Sequence, residues 1–364
     1  MIELTGTLTA VSPLHIGMGK KSGTFAKTLE YIPGRTIRGM IGYYLYTNKR
    51  ELFNKLRISE DMDMSNTGVY FKDALPRSGD QDTVASPVSL RWCKKCAHLM
   101  EHKATECHNV VDDEKCLHEG KKVAGFIILG SVNSGELKIA QVNTQISTKC
   151  PITRDGHTSP GSDNESSPYH IEGIVPGTKF RFKCLVEDEY VDDLKETLTE
   201  AGVFAGLGGY RSRGYGTVAF TNITETPVSE VIRKRSSEIS GIRNVMMVTN
   251  SPMILRNDDM SVIGFGDRFE EYAAKTSVSG NSSGTCIIEQ GEEDQVKQRL
   301  TEGIARGWSI KDGNKVSEII PCIGHGSCVM VRGNPEVLAI LEMYGVGEMT
   351  NSGYGDVYFM GGQI

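Results

Sequence analysis

The sequence predicts an α+β chain built from two similar units in tandem, and three observations predict it. The first is a repeated glycine loop. The stretch Gly206-Leu207-Gly208-Gly209-Tyr210-Arg211-Ser212-Arg213-Gly214-Tyr215-Gly216 returns at equal length as Gly345-Val346-Gly347-Glu348-Met349-Thr350-Asn351-Ser352-Gly353-Tyr354-Gly355. Both copies close on Gly-Tyr-Gly and run into a strand-like segment, which argues for internal duplication. The second is a mixture of hydrophobic periods. Alternation over Glu3 to Val11 and Lys179 to Val186 reads as strand, whereas Ile37, Met40, Ile41, Tyr44 and Leu45 share one helical face. The third is the polar, charged stretch 221–242, which reads as a linker.

Taken in order, the first strand leads into the loop Ser12 to Lys21, and Tyr31-Ile32-Pro33-Gly34 marks a turn. Thr36 is placed to cap the helix that follows. Residues 54–122 are irregular, polar and cysteine-bearing. Val123 to Val132 and Leu137 to Ser147, joined by Asn133-Ser134-Gly135, give a hairpin signal. Residues 150–168 are rich in Ser, Gly, Pro and Asp and read as a mobile loop. Val191 to Ala201 has helical spacing, and Thr217 to Phe220 is a short strand after the first glycine loop. The same grammar then repeats: a strand over Asn244 to Thr249, a helix over Glu292 to Ala305, a strand over Ser327 to Arg332, a helix over Glu336 to Met343 and a closing strand over Asp356 to Met360. These elements divide the chain into residues 1–225 and 243–364.

The chain has 364 residues, enough for two modest cores. Its hydrophobic share of 38% is that of a globular protein rather than a disordered one. A net charge of −6 counts against bulk attraction to nucleic acid, so any such binding must come from local basic patches. No apolar run reaches the length of a membrane-crossing helix. Met1 to Gly6 begins directly in a strand pattern and lacks the order of a signal peptide, so the expected compartment is the cytoplasm. Four of the nine cysteines crowd into one stretch, which in a reducing compartment reads as metal binding rather than disulfides.

Two constellations carry chemistry. In the first glycine loop, glycines let a ligand approach backbone N–H groups, Tyr210 and Tyr215 offer stacking surfaces, and Arg211 and Arg213 pair with phosphates or stack on a base. That alternation suits single-stranded RNA; the plainer reading is a helix-to-strand turn with solvated arginines. No Gly-Lys-Ser/Thr ending is present, so the loop is not a P-loop. The second loop carries Glu348 and Met349 and lacks the arginines, and packing or a protein contact is expected of it. The other constellation is Cys93-x2-Cys96 with Cys107 and Cys116, a set that fits a closed, structural tetrahedral zinc site. His98, His102, His108 and His118 are within reach as replacement ligands. His15 reads either as a general base or as a histidine that contacts RNA or closes its loop.

The strings Ser12-Pro13-Leu14-His15-Ile16-Gly17-x-Gly19, Tyr31-Ile32-Pro33-Gly34-Arg35-Thr36-Ile37-Arg38-Gly39 and Gly208 to Gly216 together resemble the RAMP superfamily of CRISPR proteins. Gly307-Trp308, Gly326-Ser327 and the second glycine loop are similar to the degenerate second domain of its tandem members. Pro87-Val88-Ser89 and Cys93-Lys94 look most like the five-group subunit of type III-D and related systems. The resemblance implies two ferredoxin-like βαββαβ domains, RRM-like in form, with a zinc-binding insertion at about 86–120 in the first. It implies a non-catalytic subunit of a class 1 effector complex. Such a subunit caps the 5′ handle of the guide RNA, contacts RAMP backbone subunits and meets target RNA indirectly. The RNA-contacting residues expected are His15, Gly17, Lys20 and Lys21, with Arg35 and Arg38 from the first helix, and Gly208, Gly209, Tyr210, Arg211, Arg213 and Tyr215 from the glycine loop. The alternatives are a six-group endoribonuclease acting on repeat RNA and a seven-group backbone subunit.

Overall fold

A computed structural model describes residues 1–18, 24–58, 68–92, 99–100, 107–108, 115–116, 121–128, 138–150, 168–256, 264–280, 282, 284–289, 298–305, 308–309, 315–316 and 319–362. In the N-terminal half, strand β1 (Ile2–Ala10) is central. It runs antiparallel to β3 (Lys179–Val186) on one side and to β4 (Val218–Pro227) on the other. The strand β2 (Val69–Phe71) extends the sheet beyond β3, giving the spatial order β4-β1-β3-β2. Helices α1 (Gly34–Asn48) and α2 (Val191–Phe204) connect these strands. The period of two turns Leu4, Leu8, Phe180, Phe182 and Cys184 toward one core. Ile37, Ile41 and Leu45 of α1 and Leu194, Leu198 and Ala201 of α2 meet them there, at the i, i+3 and i, i+4 spacings that stack side chains on one helix face.

The start of α1 differs from expectation. Pro33 occupies the cap position and no side chain of the helix's own segment caps it. Instead Asp73, from beyond β2, accepts the Gly34 N–H at 2.7 Å, so a tertiary contact satisfies one orphan donor of the first turn.

The C-terminal half repeats this arrangement. Here β5 (Val245–Thr249) is flanked by β7 (Cys328–Gly333) and β8 (Val357–Gly361), and β6 (Cys286–Ile288) lies beyond β7. Helices α4 (Asp267–Ser279) and α5 (Pro335–Tyr344) cover one face, where Phe269, Ala273, Leu338 and Leu341 share a core with Val329 and Phe359. The Asn334 side chain accepts the Glu336 N–H at 2.9 Å and Pro335 opens the helix, a regular N-terminus. The opposite sheet face presents Met246, Val248, Met330 and Tyr358, and Val84 and Val88 of the N-terminal half pack on it.

The supposed linker is ordered structure. β4 continues to Pro227, and α3 (Val228–Ser240) follows at once. Its sequence is polar because it buries little beyond Val228 and Ile239. The expected helix over 292–305 is replaced, in its described part, by strands at Gln298–Arg299 and Glu302–Ala305. Of the expected hairpin, Phe126–Ile127 pairs antiparallel with Ile139–Ala140, and its turn lies outside the described residues. Residues 151–167 of the expected mobile loop also lie outside them. Among the described residues no helix is long and apolar enough to cross a membrane.

Candidate nucleic-acid interface

After Phe204 the chain leaves α2 and folds the first glycine loop against the segment that follows β1. The Leu207 N–H donates to the Gly216 carbonyl at 2.7 Å and closes the loop on itself. The Gly209 N–H donates to the His15 carbonyl at 2.9 Å, and the Gly216 N–H to that of Pro13 at 3.0 Å. Gly208 is required here: its φ is +83°, and a Cβ would meet the His15 carbonyl oxygen at 2.4 Å. Tyr210, at φ +56°, turns the chain outward into one 3₁₀ turn, Arg211–Arg213, all of it exposed.

That turn carries two positive charges to the surface. The Arg211 Nη1 donates to the Ala205 carbonyl at 2.8 Å, and its guanidinium lies 5.5 Å from the centre of the Tyr43 ring. Arg213 donates to the Tyr169 hydroxyl and lies 5.3 Å from the Tyr169 ring and 5.6 Å from the Tyr210 ring. Cation–π contacts of this kind hold a guanidinium in place while its other N–H groups stay available. Tyr43, Phe204, Ala205, Tyr210, Arg211, Ser212 and Arg213 line an open concavity of about 560 Å³. Among the described residues no carboxylate lines it.

The other expected RNA contacts fall in several places. His15 is buried, its Nδ1 sits 2.7 Å from the Glu172 carbonyl and its ring edge meets Tyr210 at 4.9 Å between centroids. In the neutral ring this leaves the proton on Nδ1. Gly17 is exposed and bridges to Thr28. Lys20 and Lys21 lie outside the described residues. Tyr215 is not on the open surface: it is buried, and its hydroxyl donates to the Ser147 Oγ at 3.1 Å. Arg35 and Arg38 do not join the first glycine loop either. Arg35 donates to the Tyr354 hydroxyl at 2.6 Å, and Arg38 to the Ser352 Oγ at 2.7 Å and to the Ile58 carbonyl. Cys93 and Cys96 lie outside the described residues, while the backbones of Cys107 and Cys116 are register partners on a short antiparallel ladder.

The second glycine loop reproduces the first bond for bond. The Val346 N–H donates to the Gly355 carbonyl at 2.8 Å, the Glu348 N–H to Ile254 at 3.0 Å and the Gly355 N–H to Pro252 at 2.8 Å. Met349 repeats the φ of +56° seen at Tyr210, and Thr350–Ser352 repeats the 3₁₀ turn. Its surroundings are the opposite. Thr350, Asn351, Ser352 and Tyr354 are all buried, and the turn packs on the start of α1 and on Asp73. Glu348 pairs with Arg256 at 3.0 Å and accepts from the Tyr272 hydroxyl at 2.9 Å. The packing role expected for this copy is the one it has.

Buried charge accompanies that contact. Lys72 Nζ pairs with Asp356 Oδ1 at 2.7 Å between the two halves. Burial pushes the Asp356 carboxyl up, but Lys72 and the Asn250 amide outweigh it and hold the group below its ordinary range. Burial likewise pushes Asp73 up, and there the opposing His325 and the Gly34 N–H do not cancel it.

Sequence reasoning missed Tyr43, Phe204 and Tyr169. The signal for Tyr43 was its position off the Ile37, Ile41, Leu45 stripe, which left an aromatic ring on the exposed side of α1.

The strand order β4-β1-β3-β2 with two connecting helices is a mixed α+β arrangement consistent with ferredoxin-like folds. The family model for the RAMP superfamily matches residues 7–219, more than half of the chain, and the chain belongs to that superfamily. The match takes in both the Pro13–His15 segment and the first glycine loop. No curated protein matches. Among solved structures, the chain is similar to one from the type III-B Cmr-beta complex bound to cognate target RNA, at 14% identity and a TM-score of 0.35. That alignment covers 62% of this chain and 60% of the other, so this chain spans less than two thirds of that protein. A chain in a structure of the type III-B Cmr-beta bound to cognate target RNA and AMPPnP aligns at 12% identity over 94% of this chain and 88% of its own, with a TM-score of 0.44. A CRISPR-associated protein Cas6 aligns at 10% identity over 99% of both chains, with a TM-score of 0.42.

Proposed function

We propose that this chain is a non-catalytic, guide-RNA-binding subunit of a class 1 CRISPR effector complex, capping the 5′ handle and contacting a RAMP backbone subunit. One observation carries the reading: Arg211 and Arg213 stand exposed on a glycine loop that is locked to the His15 carbonyl, with no carboxylate among the described residues lining their concavity. Fixed donors of this kind bind phosphate while the neighbouring rings meet bases. The two sheets, each with the connection order strand–helix–strand–strand–helix–strand, support tandem ferredoxin-like domains over 1–225 and 243–364. His15 supports a positioning role rather than a chemical one, because its ring is packed in the base of the loop.

In a binding assay with 5′-handle RNA, the double change Arg211→Ala and Arg213→Ala is expected to weaken affinity. It should also lower the slope of log K against log salt by about one phosphate contact or two, each worth about 0.7 for a single strand. Unchanged affinity and slope would make the loop a structural turn. The endoribonuclease reading is tested in the same samples: cleavage of repeat RNA that His15→Ala abolishes would overturn the cap assignment.

A structural zinc held by Cys93, Cys96, Cys107 and Cys116 is part of the same proposal. The register pairing of Cys107 with Cys116 supports bringing two of the four together. Metal analysis is expected to find about one zinc per chain. Cys93→Ser should lose it and lower stability, while a metal-free, equally stable parent would remove the site.

A further inference from the structure

We propose that the concavity between α1, the end of α2 and the first glycine loop takes one unstacked nucleobase of a single-stranded RNA, with Phe204 as its stacking platform. The inference rests on the RNA-binding reading and names the ligand class at that site. Phe204 is the last residue of α2, and it is 77% exposed although the other side of that helix is core. Its neighbour Val203 is 59% exposed and Tyr43, across the concavity, 45%. A cluster of large apolar side chains left in water marks a surface that something covers.

The charge around the cluster selects the occupant. Arg211 and Arg213 line the same concavity, and among the described residues the other polar side chains there are Tyr43, Tyr210 and Ser212. On a chain of net charge −6, this uniformly positive rim favours an anionic partner with flat apolar faces. A polynucleotide has both parts: phosphates for the arginines and a base for the rings. The concavity, at about 560 Å³, lies in the size range of small-ligand sites and leaves room for one base. A base inside a duplex is already stacked on both faces and presents no free face to Phe204, so the site reads single strands or ends. Stacking of this kind tolerates any base identity.

The test uses the full chain and fluorescence-labelled handle RNA, the same RNA with single abasic positions, and an RNA duplex. Phe204→Ala is expected to weaken the single strand by about five-fold to a hundred-fold, with the salt slope unchanged. One abasic position should lower parent affinity comparably and make Phe204→Ala silent. Phe204→Trp should keep the affinity, and its added fluorescence should be quenched on binding, which retains a readout if the alanine variant fails to fold. If Phe204→Ala binds as the parent does while Arg211→Ala with Arg213→Ala binds weakly, the base platform falls and the phosphate reading stands. If neither change matters, both fall. Loss of binding to a RAMP protein partner on Phe204→Ala, with RNA affinity intact, would make the patch a protein interface and overturn the inference.

Discussion

Gly208 and Gly214 have nearly the same backbone twist, with φ of +83° and +84°, yet they stand in different surroundings. A Cβ at Gly208 strikes the His15 carbonyl oxygen at 2.4 Å, whereas one at Gly214 meets nothing within 4 Å. Gly214→Ala should therefore cost only the left-handed penalty of about 1–2 kcal/mol. Gly208→Ala should cost more, because the loop must also part from His15, and urea unfolding of the two variants side by side checks the order. Asp73 gives a second expectation at this scale. Burial raises its folded pKa above the ordinary carboxylate value, so the fold holds that proton more tightly than the unfolded chain does. Its contribution to stability therefore falls as pH climbs from below the ordinary value through the raised one. Asp73→Asn keeps an acceptor for Gly34 and removes the titration, so the fall in stability as pH climbs from the ordinary carboxylate value through the raised one should be smaller than the parent's. A curve as steep as the parent's would assign the slope to another group.

Among the elements, the strand over Lys179 to Val186 was legible because Phe180, Phe182, Cys184 and Val186 alternate with Lys179, Arg181 and Lys183, and only Leu185, buried on the other face, breaks the pattern. The helices α3 and α4 were not. α3 carries a short apolar stripe, Val228, Val231, Ile232 and Ile239, on an otherwise polar segment, and one guanidinium adds a tie that composition does not show. Arg235 Nε reaches both Glu342 oxygens of α5 at 3.0 and 2.9 Å, and Nη2 reaches the Phe359 carbonyl of β8 at 2.7 Å. Such a tie has no periodicity to read. Arg235→Ala is expected to cost about 2 kcal/mol or more, since it removes charge-assisted bonds to two elements, and a shift in the urea midpoint measures it. Residues 292–305 misled by composition. Their Glu, Gln, Lys and Leu favour helix, but in the described part the edge of β7 pairs with Gln298–Arg299 and tertiary pairing overrides propensity. The site shows a similar split. Its glycines and arginines stood out as a string, whereas Tyr43 and Phe204 became visible only when α1 and α2 were packed. A signal was missed as well: Ser251-Pro252 repeats Ser12-Pro13, and the Ser251 and Ser12 hydroxyls accept the Asp356 and Thr217 N–H groups at 2.8 and 2.9 Å.

In the molecule as a whole, the two halves are joined by polar contacts that leave little slack. Arg35 and Arg38 hold the second glycine loop, the Tyr358 hydroxyl donates to the Ala85 carbonyl at 2.6 Å, and Lys72 pairs with Asp356. The Lys72 side chain is only 2% exposed, so removing its charge strands a buried carboxylate. Lys72→Met is expected to destabilise the protein by about 3–5 kcal/mol, and adding Asp356→Asn should recover much of that; thermal unfolding of the single and double variants checks it. The pH dependence has the opposite sign to that at Asp73. Asp356 has a folded pKa below its ordinary value, so its stabilisation is present above that value and is lost as pH falls through the folded one.

One loop of the duplicated pair is consumed inside the molecule, because its 3₁₀ turn is buried against α1. Only the other still faces outward. If the exposed loop binds as proposed, two copies of its shape yield a valence of one. A short oligonucleotide recognised by that loop should saturate at a single equivalent.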